Sequence, residues 1–453
     1  MAAPYPKLRR DLSMPGLLET VRGCFAEIED PRSRDNSVQY TLTDTLSSAL
    51  AMFSLKYPSL LQFDRAARLD EVVRHNLRTL YGVNEVPCDT QMRSILDPLE
   101  PSTLRPAFRA LHSALQRGNA LQDYAYLEGA YLLSIDGTGV FASSRVSCKH
   151  CCEKQTKDGP EYYHQLLAAV IVHPDRRTVL PLDFEPITRA DGAQKNDCER
   201  NAAKRLIASV AAQYPKRRFV VVEDALAANG PHLQMLQRHR MDFIIVAKPS
   251  GNPALFDALH QRLQQGLCTE WEEADPQAGI TRGYRFTHRL PLNHSHPELT
   301  VNFLEYWEID TQGKERVWSW ITSLDIRPDN AYALMRAGRA RWKIENETFN
   351  TLKNQGYHFE HNFGHGDEYL SSTLAGLMFL AFLIDQIQEH ACRLFQRARE
   401  RWRSRRYLWE RFRALFFTFY VPNWEALMSA WADPTPLRFT LSTPDTLCTP
   451  DTS

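Results

Sequence analysis

The chain has 453 residues, 43% hydrophobic, 24% charged and 11% aromatic, with 54 Lys and Arg against 54 Asp and Glu. Such a composition excludes a wholly disordered polymer and leaves room for two or three domains with sizeable cores. A formal net charge of zero neither favours nor excludes a polyanionic partner, which needs only a local basic surface.

The opening segment MAAPYPKLRRDLSM lacks the apolar core of a signal peptide, and nine cysteines without such a signal suggest a reducing compartment. A cytoplasmic protein is expected. Residues 1–125 read as a helical N-terminal region, with amphipathic stretches near 40–55 and 103–117. Within it DTQMRSILDPLEPSTLRPAFRALHSAL is compatible with a helix-turn-helix DNA reader and equally with a plain helical bundle.

From residue 126 to 250 the texture changes to short runs rich in Val, Ile and Leu: YLLSIDGTG, HQLLAAVIVHP, TVLPLDFEPI, RFVVVEDAL and DFIIVAKPS. Helical segments separate the third from the fourth and the fourth from the fifth, the first of them with Asp197 as a candidate cap. This order predicts a mixed α/β sheet. Residues 251–325 alternate as further strands and predict an antiparallel β module inserted into that core.

Helices resume over 326–365 and continue through 366–432. The apolar run at 369–387 has the length of a membrane span, but Ser371, Ser372, Thr373 and Gly376 interrupt it and Asp385 closes it, so a core helix is expected and no membrane. Residues 393–413 hold nine arginines and two glutamates, a net +7. Arg403, Arg405 and Arg406 are the candidates there for contact with DNA, and a solvated helix face is the alternative. The tail, 433–453, is Pro/Thr-rich and reads as disordered.

Period-two alternation places Asp136 at the carboxyl end of the first strand and Asp224 at the end of the fourth, where open α/β sheets bind ligands. In RARWKIENETFNTLKNQG, α-helical spacing puts Trp342, Glu345, Phe349 and Leu352 on one face, so Glu345 is expected on a buried stripe. If the two strands are neighbours and the helix crosses them, Asp136, Asp224 and Glu345 meet. Three carboxylates need a counter-charge, and oxygen ligands of this kind suit Mg2+ or Mn2+, two ions forming a clamp for phosphoryl displacement. Arg341 and Lys353 lie near the same face and are candidate DNA-phosphate contacts.

In SIDGT, VVVEDALAANGPHLQML and RWKIENETFNTLKNQG the chain resembles the DDE-type insertion-sequence transposases of bacteria. The resemblance implies an RNase H-like core with a β insertion, a metal-binding catalytic triad at Asp136, Asp224 and Glu345, and double-stranded DNA, both element ends and target, as partner. It also implies endonuclease and strand-transfer activity, and a homodimer on paired ends. Arg341 matches the arginine of the family's Tyr, Arg, Glu, Lys signature, whereas Gly338 stands at the tyrosine position and Lys353 lies one residue farther from Glu345 than usual. An aromatic of the β insertion stacks on a flipped base in some relatives, which makes Trp318 and Trp320 candidates.

Two smaller clusters remain. Cys148 and Cys151 have the C-x2-C spacing of half a structural Zn2+ site, and the second half is not evident in the sequence. His358, His361 and His365 sit in a Gly/Asn-rich loop, where phosphate contact, proton transfer and plain solvation are all open.

Overall fold

Amphipathic spacing carries the N-terminal region into helices: α1 (Met14–Ala26), α2 (Leu42–Ser54), α3 (Leu60–Leu69), α4 (Glu71–Tyr81), α5 (Asp89–Leu96) and α6 (Arg105–Arg117). The structure is a computed structural model that describes residues 11–32, 39–192 and 195–434. The first ten residues and all but the start of the Pro/Thr-rich tail lie outside the described residues. Side-chain caps start several helices, as where Asp70 accepts from Val72 N and Val73 N at α4. The second helix of the expected helix-turn-helix, α6, is seated on the sheet. Phe108, Leu111 and Leu115 are buried, Arg105 pairs with Asp183 at 3.0 Å, and His112 Nε2 lies 2.8 Å from the Pro181 carbonyl.

The apolar runs form one ten-stranded mixed sheet. Its first half comprises β1 (Tyr131–Ser143), β2 (Cys152–Thr156), β3 (Gly159–Val172), β4 (Leu180–Ile187), β5 (Phe219–Glu223) and β6 (Asp242–Val246). Strand β3 runs antiparallel to β1, β2 and β4, whereas β1, β5 and β6 are mutually parallel neighbours. Helix α7 (Lys195–Gln213) connects β4 to β5, and α8 (Gly230–Arg238) connects β5 to β6. This is an RNase H-like arrangement, with β1 at its centre. Asp197 falls inside α7, so the helix starts earlier than a cap at that position would require.

Strands β7 (Thr269–Asp275), β8 (Ile280–Asn293), β9 (His296–Asp310) and β10 (Glu315–Thr322) are antiparallel, and β10 pairs with β6 from Trp320↔Val246 to Thr322↔Ile244. They extend the core sheet instead of forming a separate one. A helix that strand alternation did not announce, α9 (Pro253–Gln264), precedes them; Pro253 suits its first turn, and Leu255 and Leu259, four apart, are its buried residues.

The chain then passes through α10 (Ala331–Arg339), a π-helical turn (Ile344–Phe349) and α11 (Asn350–Asn354) to α12 (Leu370–Ala391), α13 (Arg393–Arg401), α14 (Arg405–Thr418) and α15 (Trp424–Ala432). Helix α12 is long and apolar enough to cross a membrane, but 94% of its most apolar window is buried inside the protein. Its Asp385 forms a buried ion pair with Lys56 at 2.6 Å and accepts a hydrogen bond from Tyr357. Lys56 follows α2 and Tyr357 follows α11, so one buried carboxylate ties the N-terminal helices, the end of the core and the C-terminal helices together. Truncating Lys56 or Asp385 would strand the other's charge away from water.

Candidate active site

The register of β1 on β5 decides where the first two acids stand. Ser134 pairs with Val222 in this parallel ladder, so Asp136 and Asp224, each two residues on, stand side by side; Asp224 follows the end of β5 as expected, whereas Asp136 lies within β1, which continues on β3 to Ser143 and is not at a strand end. Asp136 accepts a hydrogen bond from Gly137 N at 2.8 Å, and Asp224 caps the next turn by accepting from Leu226 N at 2.9 Å. Both line one cavity with Gly137, Glu199, Arg200 and His232.

The third acid arrives from the other side of β1. Ser134 Oγ donates to the Arg341 carbonyl at 3.2 Å, which fixes the segment after α10 across the strand. From there Arg341 Nη1 reaches Glu345 Oε1 at 2.9 Å and Asp136 Oδ2 at 3.4 Å. The guanidinium is buried, so it serves as the counter-charge for both carboxylates.

The buried stripe expected from α-helical spacing holds for Phe349 and Leu352 but not for its first two members. Trp342 is 51% exposed, and the Glu345 side chain is 39% exposed. The cause is the π-helical turn at Ile344–Phe349, whose i→i+5 bonding takes one residue more per turn than an α-helix and breaks the three-four spacing. Compensation for Glu345 thus comes from solvent and Arg341. Lys353 itself pairs with Glu360 at 2.7 Å.

Burial pushes the Asp136 carboxyl up to about 7, and the nearby charges of Glu345 and Asp224 push the same way, against the Gly137 N–H and Arg341. A carboxyl held toward its neutral form mainly by burial, with two other acids beside it, gains from a nearby divalent charge. Hard oxygen donors in that condition fit divalent Mg2+ or Mn2+, which would displace the proton.

The Transposase DDE domain family matches residues 128–383, more than half of the chain. The chain belongs to the DDE transposase family. Family membership makes it a transposase, of a class that works as a metal-dependent nuclease and transferase using divalent ions. Among solved structures, a piggyBac transposase synaptic complex with hairpin DNA is similar at 12% identity, over 98% of this chain and 87% of that one, with a TM-score of 0.39. No curated protein matches the sequence.

The other residues expected to serve this transposase fall into two groups. Trp320 is 2% exposed and belongs to the core. Its indole also explains Gly338, since a Cβ there would stand 2.5 Å from Trp320 Nε1. Where the family signature has a tyrosine, this chain fills the space from β10. Trp318 remains partly open, stacked on Tyr306 at 5.8 Å, with the Arg339 guanidinium 4.6 Å from its ring. It lines a cleft with Lys248, Arg339 and Trp342.

In the arginine-rich segment, Arg405 is committed internally. Its side chain is 9% exposed and pairs with Glu389 at 2.6 Å, so it is not a free DNA contact. Arg403 is exposed, and Arg406 is 82% exposed beside Glu410.

Sequence reasoning missed three features. Glu223, which alternation sends away from Asp224, pairs with buried His232 at 2.6 Å, and both line the same cavity as Asp136 and Asp224. Trp342 is a surface aromatic next to Arg341, whose guanidinium lies 4.5 Å from its ring. Finally, Cys148 and Cys151 converge with His164 and His365, while His358 and His361 are exposed.

Proposed function

We propose that this transposase binds the ends of an insertion sequence, cleaves them by two-metal-ion phosphodiester hydrolysis and transfers the freed 3′-hydroxyl to target DNA, as paired protomers in the bacterial cytoplasm. The observation that carries the reading is that Asp136 shares a cavity with Asp224 on one side and is joined to Glu345 through the buried Arg341 on the other. Those three carboxylates would hold two Mg2+ or Mn2+ ions, which when bound stabilise the charge on the reacting phosphate and raise the nucleophilicity of the attacking oxygen.

In the first step a water oxygen bonds to phosphorus and the P–O3′ bond breaks, leaving a 3′-hydroxyl on the element end. In the second that oxygen bonds to a target phosphorus, and a target P–O bond breaks. Asp136 must shed its proton to take part, so activity should rise with pH through the neutral range. Arg341, buried and paired with both Asp136 and Glu345, acts from inside the site as their counter-charge and is not a free DNA contact. The cleft of Trp318, Trp342, Arg339 and Lys248 offers a flat, cationic surface on which a base can stack. Arg403 and Arg406 supply phosphate contacts farther out.

The test is cleavage of a linear fragment carrying the gene and its native flanks, with Mg2+ or Mn2+, by wild type and by Glu345→Gln. Metal-dependent cuts at two flanking sites, lost in the variant, are expected. Equal cutting by the variant would remove Glu345 from the site, and DNA binding without cuts in wild type would leave a binding-only relative.

A further inference from the structure

Four soft ligands from three separate parts of the chain meet beside the core. Cys148 and Cys151 come from the β1–β2 connection, His164 from β3, and His365 from the loop that follows α11. Their ligand atoms all lie within 4.8 Å of one another. The two sulfurs are 3.7 Å apart, His164 Nε2 is 3.4 Å from each, and His365 Nε2 is 3.4 Å from Cys151 Sγ.

Hydrogen bonding alone does not account for this cluster. His164 Nε2 carries either one N–H or one lone pair, yet it faces two sulfurs at the same distance. A tetrahedral ion with bonds of about 2.3 Å to sulfur and about 2.0–2.1 Å to nitrogen sets S···S near 3.8 Å and S···N near 3.6 Å. Those are close to the separations found. Two thiols and two imidazoles suit Zn2+ and discriminate against the hard ions suited to the carboxylates. Cys151, His164 and His365 are buried, as a closed structural site requires.

We infer that Cys148, Cys151, His164 and His365 form a structural zinc site that fastens the chain leaving the Glu345 helix to the strands carrying Asp136. His164 pairs in register with Phe141, on the same strand as Asp136, and the His365 ring packs against Phe141 at 5.4 Å. The site therefore clamps the two halves of the acid cluster from behind. Neighbouring residues that look like ligands in sequence are excluded: His150 stacks on Tyr369 at 4.7 Å, and Cys152 Sγ points to the Ile187 carbonyl at 3.8 Å. The inference does not rest on the catalytic reading, since it concerns a different ligand set.

The experiment is metal analysis of the full chain purified under reducing conditions without chelator, together with titration of the metal-free protein with Co2+. Stoichiometric zinc is expected, as is a cobalt complex with the intense visible bands and thiolate charge transfer of a tetrahedral site. Cys148→Ser and His365→Ala should lose the metal, while His150→Ala, Cys152→Ser and Glu345→Gln should keep it. The cobalt spectrum of the unmutated protein stands even if a ligand variant fails to fold. No bound metal after addition of zinc, or a weak octahedral cobalt spectrum, would overturn the site. Zinc retained by His365→Ala and lost by His150→Ala would overturn the ligand assignment.

Discussion

The acid cluster and the Cys/His cluster join nearly the same two pieces of chain, the β1–β3 strands and residues 341–365, by opposite chemistry. At the first, carboxylates crowd one another, one holds its proton to about pH 7, and Glu345 stays partly open to water. At the second, the ligands are soft, mostly buried and numerous enough to close a coordination shell. A site that must accept DNA and exchange ions has to be left short of counter-charge. A site that only holds the chain in place can be saturated. The stable cluster lets the frustrated one exist without the helix drifting away from the sheet.

The sharpest way to separate the two is Asp136→Asn. Cleavage should fall by about 10³-fold or more, as for loss of an essential charged group, while zinc content is unchanged. The metal-free variant should also be more stable than wild type at pH 8. Folded Asp136 binds its proton more tightly than the unfolded chain, whose carboxyl titrates near 4. Its contribution to stability is therefore complete below about pH 4 and is lost as pH rises through about 7. Asparagine removes that loss. Over the same window, affinity of the wild type for Mn2+ should increase as the competing proton leaves. Thermal melts of both proteins from pH 4 to 8, with and without Mn2+, check all of this; a flat difference between them would mean that Asp136 is not the group holding the proton.

A smaller effect is expected at Gly338. Restoring the family's tyrosine forces a side chain into the space of the Trp320 indole, and Gly338→Tyr should destabilise the protein by about 1–3 kcal/mol. Combined with Trp320→Ala, the tyrosine should cost less than alone, with a coupling of about 1–3 kcal/mol in a double-mutant cycle. Additive melts would show that the two positions do not compete for one volume.

How much of this was legible beforehand follows from the range of each signal. Asp224 could be placed because a strand end is a local feature; Asp136 was put at a strand end too, but β1 continues past it to Ser143, since the apolar run does not show how far pairing on β3 extends, and the adjacency of the two acids follows from the parallel pairing of β1 with β5. Glu345 was found through a motif, but its environment was misjudged because apolar spacing presumes an α-helix and carries no mark of a π turn. Half of the Cys/His cluster was visible as C-x2-C. The other half was not, because His164 and His365 lie 13 and 214 residues from Cys151, and no local spacing encodes a contact made by tertiary folding. Trp320 and Trp318 look alike as strand residues, and only the neighbouring Gly338 and the packing of α10 distinguish the core one from the open one. Arg405 was grouped with its neighbours because a charge run does not reveal which member faces an acid on another helix.

That last pair gives the smallest effect and a direct reading of what a basic run does. Arg405→Ala leaves Glu389 without its closest partner in a partly buried place and should cost about 1–3 kcal/mol of stability. DNA affinity per folded molecule should be little changed. Arg406→Ala removes an exposed charge whose ion pair, with Glu410, lies within its own helix, so stability should move by no more than about 0.5 kcal/mol. If Arg406 touches phosphate, binding should weaken uniformly across sequences, and the slope of log affinity against log salt should become shallower by about 1. Melts and salt-dependent binding on the same two proteins separate the roles, because an internal ion pair changes the first measurement and a phosphate contact the second. Reversal of the two patterns would mean that the helix presents its other face to DNA, with Glu389 released on binding.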